Sequence, residues 1–219
     1  MKKKNRAIIY VDGFNFYNGL MEKGLSKFRW IDYFSLSKKI TPFNYEPILV
    51  RYFTSRIKGD IDKHNRQHKY IISLEAHLGD KIDCQYGRFQ TFQSHCKQCK
   101  AKPVYCENCS EEYIKPNEKK TDVNIATSMI MDCIEKNTEC ILLMSGDSDY
   151  EAALTQIHRI FPKIYRVIAF PPKRRNPGMF NNCDFHFDIQ KSDIQASLLP
   201  NPVINPKNKK QYFMPTEWA

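Results

Sequence analysis

Four aspartates stand where carboxylates can be brought to one place. Asp12 closes the apolar run Arg6-Ala-Ile-Ile-Tyr-Val11. Asp147 and Asp149 follow Glu139-Cys-Ile-Leu-Leu-Met144, inside Ser145-Gly-Asp-Ser-Asp149, and Asp122 opens a helical pattern after Glu118-Lys-Lys-Thr121. Both apolar runs are short, rich in aliphatic and β-branched residues, and bounded by turn residues, which predicts buried parallel strands. If the strands are parallel, Asp12, Asp147 and Asp149 share one rim, and a strand spacing of about 4.8 Å lets them share an ion. Helices of such a sheet start on that same carboxyl rim, which brings in Asp122. Gathered carboxylates repel one another and resist full ionisation unless a cation sits among them. Oxygen-only ligands suit Mg²⁺ or Mn²⁺, and an ion so held can activate water against a phosphodiester and steady the leaving oxygen. Asp12, Asp122, Asp147 and Asp149 are therefore the expected catalytic and metal-holding set. Singly, each has an ordinary explanation as a turn residue, a helix cap or a first-turn acid favoured by the helix dipole. The case for a site rests on all four falling on one rim. Asn15 and Ser145 adjoin them, and orienting a ligand water or a phosphate stands beside plain capping for both.

A second, different metal centre is suggested by Cys96-x-x-Cys99 and Cys106-x-x-Cys109. Two tight knuckles aim four thiolates at one point, the arrangement of structural Zn²⁺ with no open coordination position. The other cysteines (Cys84, Cys133, Cys140 and Cys183) sit in apolar surroundings and read as small hydrophobes. Lys and Arg outnumber Asp and Glu 34 to 24, a net +10 that favours a polyanionic partner, the more so because acids are concentrated at one place. Lys173-Arg174-Arg175 follows a predicted strand on the acidic rim and is the better candidate for phosphate contacts. Arg88, Lys97, Lys100, Lys102 and Lys115 surround the cysteines, with Phe89, Phe92 and Tyr105 interleaved. That mixture can grip single-stranded nucleic acid, although the aromatics serve equally to pack a small zinc module.

The elements that must position these residues follow from periodicity. Strands are predicted at 6–11, 48–53, 81–87, 139–144 and 164–170, with a last one at 185–189. Helices are predicted over 14–25 (face Phe14, Tyr17, Leu20, Met21), over 61–78, after Asp122 (stripe Val123, Ala126, Ile130, Ile134) and after Asp149. The alternation gives an α/β fold with a mainly parallel central sheet and helices on both faces. Residues 1–199 form the domain, 90–116 a small zinc-binding insertion, and the Pro-, Asn- and Lys-rich 200–219 a tail outside the core. No apolar run approaches the roughly 20 residues of a membrane helix. The amino-terminal run is too short for a signal-peptide core, so a cytoplasmic protein without a membrane partner is expected.

Ile8-Ile-Tyr-Val-Asp-Gly-Phe-Asn-Phe-Tyr17, Glu118-Lys-Lys-Thr-Asp-Val-Asn-Ile-Ala126 and Leu143-Met-Ser-Gly-Asp-Ser-Asp-Tyr150 together resemble the NYN domains of the LabA-like group, in the PIN-like superfamily. The resemblance runs from about Arg6 to about Ile189. It implies metal-dependent ribonuclease chemistry with Mg²⁺ or Mn²⁺, and it is the resemblance that selects RNA over DNA. The family's first-strand aspartate falls on Asp12, followed by Asn15; its helix-opening aspartate falls on Asp122, and its paired aspartates on Asp147 and Asp149. A further family aspartate aligns loosely with Asp184, for which a surface-loop role stands beside the functional one. Two rivals remain. A non-catalytic RNA- or protein-binding module would predict a damaged acidic set, and the set is intact. A hydroxylase of aromatic N-heterocycles lacks support from any Gly-x-Gly-x-x-Gly fingerprint.

Overall fold

The computed structural model describes residues 4–93, 105 and 114–218. The first apolar run forms β1 (Asn5–Asp12), followed at once by α1 (Gly13–Glu22), then α2 (Tyr33–Ile40), β2 (Tyr45–Thr54), α3 (Ile61–Leu78) and β3 (Ile82–Tyr86). An antiparallel pair, β4 (Arg88–Gln93) and β5 (Ile114–Lys119), leads to α4 (Thr121–Ile134), β6 (Cys140–Met144), α5 (Glu151–Ile160), β7 (Tyr165–Phe170) and β8 (Phe185–Asp188). A short α6 (Lys191–Gln195) and a two-stranded hairpin, β9 (Val203–Ile204) with β10 (Gln211–Tyr212), follow.

Six strands make one sheet in the order β3-β2-β1-β6-β7-β8, and every neighbouring pair is parallel. The chain runs outward from β1 through β2 to β3, then returns to β1's other side and runs outward again from β6. That reversal leaves a crevice beyond the carboxyl ends of β1 and β6, the usual place for a ligand in such sheets. Val11 lies opposite Met144 in the register, so Asp12 and Ser145 emerge side by side.

Strand alternation divides the core in two. Ala7, Ile9 and Val11 face Phe16 of α1, Leu36 of α2 and Leu74 of α3, whereas Ile8 and Tyr10 face Ile125 and Met129 of α4 and Leu154 of α5. Continuing the same period, Asp12 belongs to the α4–α5 side.

Several expectations are corrected. In α4 the buried residues are Thr121, Ile125, Met129, Asp132 and Cys133; of the expected stripe Ala126 and Ile130 pack against that core, while Val123 and Ile134 are 67 % and 53 % exposed. The inner face includes a carboxylate, so counting apolar residues alone places only half of the stripe correctly. In α1, Phe16 and Leu20 enter the core but Tyr17 and Met21 do not. The helix α2 was missed, although its cap was legible: Asp32 accepts from the backbone N–H groups of Phe34 and Ser35. Residues 200–219 are expected as a tail, but the described part, 200–218, closes over the α2–α3 side. Val203 and Trp218 are buried in that core, and the Trp218 ring meets Trp30 at 6.2 Å and Tyr70 at 5.8 Å. Two anchoring side chains suffice to fix a segment that is polar on average. The 90–116 insertion is framed by the β4–β5 pair, and Cys96, Cys99, Cys106 and Cys109 lie outside the described residues.

A buried ionic clamp fixes α4 to the sheet. Arg51 of β2 donates to both oxygens of Asp132 at 2.7 Å, and Tyr10 of β1 adds a third bond at 2.6 Å. Burial alone would raise the Asp132 pKa, but the bonds from Arg51 and Tyr10 outweigh it and hold the carboxyl below its ordinary value. Removing one partner of such a pair strands a charge, at a cost of about 3–5 kcal/mol when fully buried. Arg51 retains some solvent and a second acid, Asp83, so Asp132→Ala is expected to cost about 3 kcal/mol in urea unfolding. Asp83→Ala, at the exposed end, should cost less than about 1 kcal/mol. Equal losses from the two would contradict the clamp.

Candidate active site

At the crevice, Asp12 ends β1 and caps α1, its Oδ1 accepting the Asn15 N–H at 3.0 Å. The other oxygen, Oδ2, accepts from Ser145 Oγ at 3.1 Å and from the Tyr150 hydroxyl at 3.0 Å. The same Tyr150 hydroxyl lies 2.9 Å from Asp122 Oδ1. A hydroxyl carries one proton and can donate to only one of the two carboxylates. The other then faces a lone pair, unless it is protonated or a cation lies between them. Burial pushes the Asp12 carboxyl up, and the charge of Asp122 adds to the rise against the bonds from Asn15, Tyr150 and Ser145. The Tyr150 hydroxyl is driven far upward, first by burial and then by both carboxylates, so it stays protonated. The arrangement is short of positive charge, and its ligand atoms are oxygens, which fits a hard divalent cation.

The loop after β6 completes the neighbourhood. Asp147 N–H donates to Ser145 Oγ at 3.2 Å, and Asp147 Oδ1 accepts the Asp149 N–H at 3.1 Å. Gly146 N–H donates to Asn15 Oδ1 at 3.2 Å, and Asn176 Nδ2 donates to Gly146 O at 3.0 Å. A Cβ at Gly146 would fall 1.7 Å from the carbonyl oxygen of Arg174, so only glycine lets the loop after β7 close here. Asn15 and Ser145 thus tie α1 and the β6 loop around Asp12.

The fold therefore links Asp12 to Asp122 through the Tyr150 hydroxyl and sets Asp147 and Asp149 in the loop after β6 on the same rim, where the Asp147 backbone N–H, not its carboxylate, reaches Ser145. Among the described residues, no three of His, Cys, Asp and Glu form a ready-made ligand cluster. Asp184 is not brought to the rim. It precedes β8, at the opposite end of the strands, and pairs with Arg166 at 2.8 Å, a bond that keeps its pKa low although burial pulls it up. Lys173, Arg174 and Arg175 follow β7 on the acidic rim. Arg174 pairs with Glu22 and Arg175 with Asp188, whereas Lys173 is exposed. Arg88 begins β4. Tyr150 was the residue the sequence did not single out. The signal available was a buried tyrosine whose hydroxyl needs a partner, three residues past an aspartate that caps a helical turn.

A six-stranded parallel sheet carrying helices is the architecture of a PIN-like α/β domain. The chain belongs to the NYN domain family, whose profile matches residues 6–190. It is 26 % identical to the 6-hydroxy-3-succinoylpyridine 3-monooxygenase of Pseudomonas putida, over 97 % of this chain and 75 % of that protein. A solved structure of a Vibrio parahaemolyticus protein of unknown function is similar in fold, with a TM-score of 0.53 at 17 % identity, covering 91 % of this chain and 100 % of that one. Among the described residues no helix is long and apolar enough to cross a membrane.

Because its pKa is raised in the fold, protonated Asp12 favours the folded state in acid, and that contribution is lost as pH rises above the ordinary value of 3.8. At neutral pH with a chelator present, Asp12→Asn should therefore melt at or above the wild-type temperature, with a gain of about 1 kcal/mol. Mn²⁺ should raise the wild-type midpoint and leave the variant's unchanged. A clearly less stable variant, or an equal response to Mn²⁺, would argue against a charge-strained cation site.

Proposed function

We propose that the protein is a metal-dependent nuclease acting on RNA, with Mg²⁺ or Mn²⁺ held by Asp12 and Asp122 and the set completed by Asp147 and Asp149. The observation that carries this reading is the single Tyr150 proton set between two carboxylates. NYN domains are generally nucleases, and a basic chain with an acidic centre suits a phosphodiester substrate. A divalent ion, when bound, offsets the charge that develops on the phosphodiester and makes water a better nucleophile. The chain's own residues do the rest. Tyr150 fixes the separation of Asp12 and Asp122, while Ser145 and the Asn15 N–H hold the Asp12 carboxylate in one rotamer. Lys173, unlike its paired neighbours, is ready to take a phosphate, and Arg174 and Arg175 can follow by exchanging their exposed ion pairs at small cost. Arg88 is a further candidate for the flanking strand.

Four cysteines, Cys96, Cys99, Cys106 and Cys109, are proposed to hold a structural Zn²⁺. A second reading, hydroxylation of an aromatic N-heterocycle, is favoured by the likeness to the Pseudomonas monooxygenase alone.

The test incubates purified protein with labelled RNA and DNA, with Mn²⁺ or with chelator. RNA cleavage should require the metal and fall at least about 100-fold in Asp12→Asn, the order lost with one electrostatic group of an active site. Tyr150→Phe should lose part of that activity. Cleavage that survives chelator or Asp12→Asn would refute the assignment, and no cleavage with turnover of a hydroxypyridine would favour the second reading. Metal analysis should find about one zinc per chain, lost in a Cys96→Ser, Cys106→Ser double variant; full retention there would exclude the knuckles as ligands.

A further inference from the structure

A cavity of about 230 Å³ opens on the α1–α3 side of the sheet, immediately beside the acidic rim. Gly13, the residue after Asp12, lines it, as does Thr54 at the carboxyl end of β2. A Cβ at Gly13 would come within 2.7 Å of Phe53 O and 2.8 Å of Tyr52 Oη, so glycine keeps this wall thin. The remaining walls are largely aromatic, with Phe14, Tyr17, Tyr33, Tyr52, Tyr70 and Trp218 contributing. They are already set: Tyr33 stacks on Tyr52 at 5.2 Å, Tyr70 meets Tyr52 edge-on at 6.4 Å, and the Tyr70 hydroxyl is held by Ile31 O at 2.7 Å.

Tyr17 and Met21 of α1 also line the cavity and are left 38 % and 41 % exposed, although the same helix has a packed core face in Phe16 and Leu20. Apolar side chains turned to a hollow rather than into the core are what a preformed ligand site requires. The charged side chains of the lining, Arg29, Lys63 and Arg66, are all cationic. The volume falls below the roughly 300 Å³ at which sites for larger small molecules begin, which limits the occupant to about one ring system.

The geometry points to a base subsite: the cavity receives one unpaired nucleobase of the substrate strand, stacked on its aromatic walls, with the attached phosphate facing Lys63 and Arg66. The identity of the strand rests on the nuclease reading; the stacking and charge do not. Lys63 and Arg66 are bridged to Asp60 and Glu217 at 3.1 and 2.9 Å, in exposed pairs that a phosphate can replace at little cost. A paired base cannot enter such a hollow, so the strand must be single there. Base–aromatic stacking is tolerant of sequence.

Tryptophan fluorescence of the full chain in chelator tests this, because Trp218 forms part of the wall. AMP and UMP should quench it, and ribose 5-phosphate should not. Tyr17→Ala should weaken AMP binding roughly 5- to 100-fold, Tyr17→Phe should restore it, and Lys63→Glu should weaken AMP while sparing adenosine. Equal binding of ribose 5-phosphate, an unchanged Tyr17→Ala variant, or binding of pyridine-3-carboxylate in place of AMP would each overturn the subsite. Nucleotide binding without RNA cleavage would sink only the nuclease reading. Cleavage with unaltered RNA affinity in Tyr17→Ala would sink only the subsite.

Discussion

One proton lies between two carboxylates that both need it. Asp12 and Asp122 come from elements far apart in the chain, a strand end and a helix start, and each reaches the hydroxyl of Tyr150. Neither can be satisfied fully while the other is ionised. Such an arrangement persists only where the surrounding structure holds it. Here the parallel sheet sets β1 beside β6, and the Arg51–Asp132–Tyr10 clamp pins the helix that carries Asp122. Asp132 and Asp12 are both buried, with opposite outcomes. At Asp132 it is matched by a guanidinium and stabilises; at Asp12 it is left short of positive charge, and this is where a cation gains most.

The same alternation along β1 separates these tasks. Ile8 and Tyr10 build the α4–α5 core and Asp12 continues their face, while Ala7, Ile9 and Val11 build the α1–α3 core. The carboxylates therefore stand at the edge of one layer and the aromatic cavity at the edge of the other, meeting where Asp12 joins Gly13. A strand laid across the rim would meet acids for the chemistry, aromatic walls for a base, and the Lys173 turn for a phosphate.

Much of this was legible in the sequence. Short apolar runs ending in Asp-Gly or Ser-Gly-Asp locate strand ends well, since strand, turn and cap signals agree there. Asp12, Asp147 and Asp149 follow strand ends and Asp122 opens a helix, which sets all four on one edge of a parallel sheet. What failed depended on tertiary partners. The inner face of α4 departs from the apolar pattern because Asp132 is buried by an arginine 81 residues away in the chain, which hydropathy cannot register. Trp218 and Val203 look like residues of a polar tail until the groove they fill exists. Asp184 carries a family-like position, but it precedes β8 at the end of the strands away from the rim, where it pairs with Arg166. Tyr150 was hidden for a related reason: an aromatic at helical spacing is read as core, and its hydroxyl gains meaning only when two acids converge on it.

Whether Asp12 and Asp122 share a divalent cation beside Tyr150 is decided by a crystal structure of the protein grown with Mn²⁺, using anomalous scattering to locate the ion. A manganese peak in contact with oxygens of both Asp12 and Asp122 is expected, and it should disappear in crystals of Asp12→Asn. A rim free of manganese in well-ordered crystals, with Tyr150 still bridging two carboxylates, would contradict it.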